Sequence, residues 1–293
     1  MNKFTKNEID FLKINYIRLG RKNCSIALNR SKNSIKDKCR RLGIRNSVKE
    51  IRLKQSMGAK KKAGQYVVNE DFFMKNHTPE SVYLLGFLWA DGHIHKGTRN
   101  SGNDFYQIVL GINTEDGRYL STLLDKSGKW SKCYQIQKTG KPMTYFSCSN
   151  TILGKFLEEK DYIIKSSSSP IKILEYIPNN LRRFFFLGYL DGDGCIYTNK
   201  RNHHCISFSS SFGQDWKFLK NLCDNIGCSY SSANGIRKDR NSKFSYFSIN
   251  GKNNFILFGK NLYDDCSLGL LRKRNKFLIV KNLTTRKDSL MVS

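Results

Sequence analysis

Two stretches of the chain repeat one another, YLLGFLWADGHIH at residues 83–95 and FFLGYLDGDGCIY at 185–197. Each is an apolar run that ends in an acid, Asp91 or Asp193, followed at once by glycine. A segment that is apolar on every side is a helix buried on every side. Gly86 and Ala90 stand four apart, as do Gly188 and Gly192, so small residues clear one face of each helix. Such faces let two helices approach backbone to backbone. The sequence therefore predicts a crossed helix pair whose C-terminal ends bring Asp91 and Asp193 together. Helix C-termini are electronegative, and two neighbouring carboxylates repel each other. A hard divalent cation with oxygen ligands relieves both problems, and Mg²⁺ is the natural choice.

The stretch from residue 70 onward reads as two copies of one unit, about 70–175 and 178–284. In the first, strands are expected at 93–97, 105–112, 132–138 and 144–149, with helices at 115–126 and 151–160. In the second, strands are expected at 194–199, 204–210, 228–236 and 244–250, with helices at 213–226, 252–262 and 271–282. Both copies read αββαββα, a domain duplication.

Charge is the second constraint. The 293 residues carry 51 Lys+Arg against 24 Asp+Glu, a net +27, which calls for a polyanionic partner. Residues 1–65 alone hold 19 basic and 4 acidic side chains. No apolar run reaches the ~18 residues of a membrane span, and the first residues have no signal-peptide core. The expected setting is the cytoplasm of a bacterial or phage-infected cell, or an organelle matrix. Nine scattered cysteines contain no C-x-x-C pair, so reduced, mostly buried thiols are expected rather than zinc. His93, His95, His203 and His204 have no zinc spacing either.

The basic N-terminal segment reads as three short helices. Thr5 and Glu8 form a capping box, Gly20 stops the first helix, and Ser31 caps the third, which ends at Gly43. This plan resembles the trihelical Myb/SANT-like helix-turn-helix modules. In such a module the third helix enters the major groove, with Lys32, Asn33 and Lys36 at the DNA. Residues 46–68, with the run Lys60, Lys61 and Lys62, read as a basic linker along the DNA backbone.

LLGFLWADG (84–92) and FLGYLDGDG (186–194) resemble the paired signature motifs of the LAGLIDADG homing endonucleases, and their spacing of 102 residues matches single-chain members. The resemblance covers about 70–284. It implies an α+β fold in which two pseudo-symmetric αββαββα repeats form a β-saddle on double-stranded DNA, beside the all-α N-terminal domain. The domains would be 1–45 (helix-turn-helix), 46–68 (linker), 69–177 (first repeat) and 178–293 (second repeat). It implies Asp91 and Asp193 as catalytic acids and metal ligands, with Gly92 and Gly194 in the metal set and Lys165 and Lys273 beside them. The lysines would polarise a water or neutralise the scissile phosphate. Mg²⁺ would be the cofactor, with Mn²⁺ able to substitute. Trp89 stands where the family motif has an acid and is read as packing; Asp191 keeps the acid and is read as a capping or solvent-facing carboxylate. Base and phosphate contacts are expected at the hairpin tips: Lys96, Arg99, Lys138, Lys141, Lys200, Arg201, Arg237, Lys238, Arg240 and Lys243. The implied activity is a monomeric, site-specific double-strand DNA endonuclease needing no protein partner. The same family includes non-cleaving DNA-binding regulators and RNA intron maturases, the two alternative readings.

Overall fold

The computed structural model describes residues 4–44, 67–99, 101–137, 139–199, 202–237 and 242–290; side chains 17, 18, 237 and 283–290 are not described. The chain divides into two compact units, Met1–Gln65 and Tyr66–Ser293.

In the first unit, α1 (Lys6–Ala27) begins with the expected capping box: Glu8 N–H donates to Thr5 Oγ1, and Thr5 N–H to Glu8 Oε2 at 2.7 Å. Gly20, at φ +76°, interrupts the helix and leaves two helical segments. The left-handed φ is open to glycine without Cβ strain. Ser31 caps α2 (Lys32–Arg41). A small core of Leu12, Cys24, Ile35 and Cys39 holds the segments together. Arg30 also donates to Glu8 at 3.0 Å, and that bond holds the Glu8 carboxyl down at about 2.

The second unit opens with a short helix, α3 (Asp71–Met74), then α4 (Pro79–Asp91). Thr78 and Ser81 cap α4 reciprocally and Pro79 occupies its first turn, so its start is fixed locally. Strands β1 (Gly92–Thr98) and β2 (Asp104–Asn113), helix α5 (Thr114–Leu124), strands β3 (Ser131–Ile136) and β4 (Pro142–Ser149) and helix α6 (Thr151–Glu159) complete the first repeat. A short helix, α7 (Ile171–Tyr176), leads to α8 (Arg182–Asp193). The second repeat continues through β5 (Gly194–Thr198), β6 (His204–Ser211), α9 (Lys217–Asn225), β7 (Ser231–Arg237), β8 (Ser242–Asn250) and α10 (Lys252–Tyr263), and ends in α11 (Leu271–Leu290).

Each repeat contains one antiparallel four-stranded sheet, ordered β1-β2-β4-β3 and β5-β6-β8-β7. The two orders are the same, which is the duplication read from the sequence. In the central strands alternate residues face the core: Ile108, Leu110 and Ile112 with Phe146 in one sheet, Ile206 and Phe208 with Phe247 and Ile249 in the other. Helix α9 starts four residues later than expected. Gly213 turns the chain at φ +81°, and Asp215 then accepts the Lys217 N–H at 2.8 Å, which begins the helix there. Helix α7 was not anticipated, and β7 starts at Ser231 rather than 228.

The centre of this unit is the α4–α8 pair. Residues 81–89 and 184–191 are buried throughout. A Cβ on Gly86 would lie 2.0 Å from the Phe185 carbonyl oxygen, and one on Gly188 would lie 2.0 Å from that of Tyr83. The two backbones touch at both glycines, as the small-residue spacing requires. All nine cysteines are free thiols, six of them buried.

Candidate active site at the paired helix ends

No connecting residue separates helix from strand at either motif. Gly92 and Gly194 turn into extended backbone directly after Asp91 and Asp193. The two acids therefore sit at the corners where the crossed helices become sheets. A Cβ on Gly192 would lie 2.3 Å from the Ala90 methyl and 3.4 Å from Asp91 Oδ2, so the ends meet closely.

Both carboxylates reach solvent, yet protein crowds them on most sides. Crowding first, and Asp193 second, push the Asp91 carboxyl up to about 6. Crowding also raises Asp193. Two crowded acids at a shared point, both raised and one of them partly by the other, are the electrostatic signature of a cation site. Hard oxygens on two carboxylates suit Mg²⁺, which keeps several waters and borrows substrate phosphate oxygens. Among the described residues no group of three or more His, Cys, Asp and Glu gathers. His93 and His95 face one another at 4.4 Å between ring centroids, both on exposed strand positions.

The two lysines are pseudo-symmetric. Lys165 Nζ donates to the carbonyls of Trp89 and Ala90, both at 2.6 Å, and to Leu88 at 3.4 Å. Lys273 Nζ donates to Leu190, Asp191 and Gly194 at 2.6, 2.7 and 2.6 Å. An ammonium has three N–H groups. All three are committed to helix-end carbonyls, which differs from the direct contact to water or phosphate expected from the family. Each lysine instead neutralises a helix C-terminus beside an acid. Burial lowers both ammoniums to about 8 against the pull of the neighbouring acids. The Gly194 carbonyl, expected in the metal set, is engaged by Lys273.

Trp89 packs as expected, buried edge-on to Tyr162, whose hydroxyl donates to the Leu88 carbonyl at 2.5 Å. Asp191 is not solvent-facing: it is 1% exposed and accepts from Tyr83 Oη and Leu270 N. Lys96 is also corrected. It lies on the helix-covered side, paired with Glu158 of α6 at 2.8 Å, because its register partner Tyr106 points into that side. Lys32, Asn33 and Lys36 are exposed on α2, and Arg99 and Lys141 are exposed at the hairpins of the first sheet. Lys243 stands over the Phe212 ring. Lys60, Lys61, Lys62, Lys138, Lys200, Arg201, Lys238 and Arg240 lie outside the described residues, as does the Arg237 side chain.

Sequence reasoning missed the residues that hold the lysine segments. Gln214 Nε2 donates to Ser168 O at 2.8 Å, and Asp215 N to Ser167 O at 3.3 Å, so the second repeat anchors the Lys165 segment. Reciprocally, Arg272 pairs with Asp116 at 2.8 Å and Gly269 N donates to Tyr119 Oη at 2.8 Å, so the first repeat anchors the Lys273 segment. No local pattern announces such contacts. A recess of about 150 Å³ beside Asp193 is lined from both repeats by Ala90, Lys165, Ser166, Ser210 and Gln214. A larger cavity of about 530 Å³, walled by Arg182, Phe186, Phe218 and Asn225, does not include the acidic pair.

No protein-family model and no curated protein matches the sequence. Among solved structures, the I-LtrWI LAGLIDADG homing endonuclease bound to target DNA is 14% identical, with a TM-score of 0.46, over 71% of this chain and 91% of its own. The chain is similar in fold to the LAGLIDADG homing endonucleases. The LAGLIDADG meganuclease I-AabMI, bound to uncleaved DNA, is 13% identical, with a TM-score of 0.45, over 73% of this chain and 92% of its own. I-DmoI in complex with DNA and Ca is 15% identical, with a TM-score of 0.40, over 66% and 93%. The functional reading of the LAGLIDADG-like pair rests on its own geometry.

Proposed function

We propose that the protein is a site-specific endonuclease of double-stranded DNA, working as a monomer on a long, asymmetric target and using Mg²⁺, with Mn²⁺ able to substitute. The observation behind this reading is the meeting of Asp91 and Asp193 at two abutting helix ends, their carboxyls raised together, in a chain of net charge +27. Each repeat supplies one acid, so each strand of a duplex has its own carboxylate. A divalent cation held by these acids would bring positive charge to the scissile phosphate and acidify a bound water. Lys165 and Lys273 hold the helix ends neutral, so the acids can stand together without two negative dipoles added to their repulsion. Each lysine segment is docked on the opposite repeat, so the halves position one another.

The helix-free faces of the two sheets supply the DNA surface, with Arg99 and Lys141 at the hairpins on the phosphates. The N-terminal unit adds a trihelical reader through Lys32, Asn33 and Lys36, joined by the basic segment holding Lys60, Lys61 and Lys62. The test is cleavage of a genomic or randomised DNA library with Mg²⁺ against EDTA or Ca²⁺, beside Asp193→Asn. Mg²⁺-dependent cutting at one long site, abolished by the variant while binding survives, is expected. Salt-dependent binding with no cutting under any of these conditions would make the chain a regulator or an RNA-directed protein.

A further inference from the structure

The two sheets share one topology, so their registers can be matched position by position. On the side away from the helices, the first sheet presents His93 and His95 on β1, Gln107 and Val109 on β2, Tyr145 and Ser147 on β4, and Ser131, Cys133 and Gln135 on β3. The matching positions of the second sheet are Cys195 and Tyr197, Cys205 and Ser207, Tyr246 and Ser248, and Ser231, Ala233 and Gly235. Tyrosine and two serines recur in both. The glutamines do not. Gln107 is replaced by Cys205, Gln135 by Gly235 and His93 by Cys195, whereas His95 becomes Tyr197, Val109 becomes Ser207 and Ser149 becomes Asn250, so it is the glutamine amides that are confined to the first sheet.

The partners strengthen the contrast. In the second sheet Ser231 and Ser248 bond each other at 2.8 Å, and Asn250 donates to Ser248 at 3.0 Å, so these groups satisfy one another. In the first sheet Gln135 is exposed, and among the described residues its amide meets only the Cys133 sulfur at 3.6 Å. Among the described residues the Gln107 amide has no hydrogen-bond partner. A glutamine amide offers a donor and an acceptor side by side, the pattern that adenine N7 and N6 complement in the major groove. A serine already bonded to its neighbour offers no such fork.

We infer that base discrimination is lopsided: the first repeat reads its half-site stringently, with Gln107 and Gln135 recognising adenine in the major groove, and the second repeat tolerates base changes beneath it. This rests on the endonuclease reading. The surface is matched to that occupant by charge, with Arg99 and Lys141 exposed at the hairpins beside the reading face, in a chain of net charge +27.

The test is a cleavage selection from a randomised duplex library with Mg²⁺, run on the full chain and on Gln107→Ala, Gln135→Ala and Ser207→Ala. All three positions lie on the uncovered face, and an unchanged melting temperature checks folding. The expected result is a site whose constrained positions concentrate on one side of the cut. Each glutamine variant then loses roughly 10- to 100-fold discrimination for adenine on that side, and Ser207→Ala shifts base preference on its own side by less than either. Site-specific cleavage with both sides equally constrained, or glutamine variants recovering the parental site, overturns the inference and leaves the endonuclease standing. If no duplex is cut or selectively retained, the endonuclease reading fails and the inference falls with it.

Discussion

Tyr83 donates its hydroxyl to Asp191 Oδ2 at 2.8 Å, linking the two central helices from opposite repeats. The same oxygen accepts the Leu270 N–H at 2.7 Å, just before α11. The other oxygen, Oδ1, is buried with no partner among the described residues. Burial pushes this carboxyl up to about 6.

That shift makes the contribution of Asp191 to the stability of the metal-free protein fall as pH rises. A carboxyl whose folded pKa exceeds its unfolded value favours folding below the folded value and loses the benefit as it ionises. Asp191 alone should remove about 1 kcal/mol between pH 5 and pH 7. Asp91, also at about 6, acts in the same direction. His77, His93 and His204, lowered by burial, act the other way in this window, so the readout is the difference: in urea unfolding in EDTA, the parent should lose more stability from pH 5 to pH 7 than Asp191→Asn does. An equal change in the two proteins would mean that Asp191 ionises normally.

Cation binding should have the opposite dependence. Protons compete for Asp91, so affinity for Mg²⁺ should weaken as pH falls through about 6. Asp91→Asn or Asp193→Asn should each cut cleavage at least ~100-fold while leaving duplex affinity nearly intact. Calorimetry with the metal and a plasmid nicking assay read the two effects separately.

Gly86→Ala and Gly188→Ala should be among the most damaging single changes. Each new methyl lies 2.0 Å from a main-chain oxygen of the partner helix, which cannot move aside. A loss of about 3 kcal/mol or more is expected from such overpacking, measured as a shifted urea midpoint. Gly140→Ala is a useful contrast, since its surroundings are open and only its φ of +78° resists.

Lys273→Met should leave three buried carbonyls without a donor and cost roughly 2–3 kcal/mol. In the parent protein, raising pH through about 8 deprotonates this ammonium and removes one of its three N–H donors. Cleavage should therefore decline on the alkaline side of 8, and Lys165 should add to the decline. A flat profile from pH 7 to 9.5 would argue against the capping role.

Removing residues 1–65 should weaken DNA binding and flatten its dependence on salt, because 19 basic side chains leave with them. A cleaved site of unchanged length would mean that this unit adds affinity alone. A shortened site would mean that α2 reads bases.

The central pair was legible because its signal is local. Apolar residues on every side, small residues four apart and a terminal acid all lie within nine residues of one another, and the second copy removes ambiguity. The strand pattern was legible for the same reason, through alternation in β2 and β4. Asp191 was misread because its environment is not local. Tyr83 lies 108 residues away and Leu270 lies 79 away. Lys96 misled for a related reason: a basic residue beside a hairpin suggests DNA, and only the register with Tyr106 turns it toward Glu158. The lysine caps were half visible. Their proximity to the acids was implied by resemblance, but the carbonyls they hold depend on how the lysine segments fold back against the helix ends.

The absence of any residue between helix and strand at Gly92 and Gly194 has a metrical consequence. Each strand that faces a duplex starts its count at the carboxylate, and each further residue adds ~3.3 Å. In the proposed endonuclease, cutting and reading would thus share one origin in each half. A single residue inserted after Gly92 would reverse the facing of β1, carrying His93 and His95 to the helix side and Ile94 to the outside. If the proposed function holds, the helix end fixes the zero of the ruler by which each half of the molecule measures DNA.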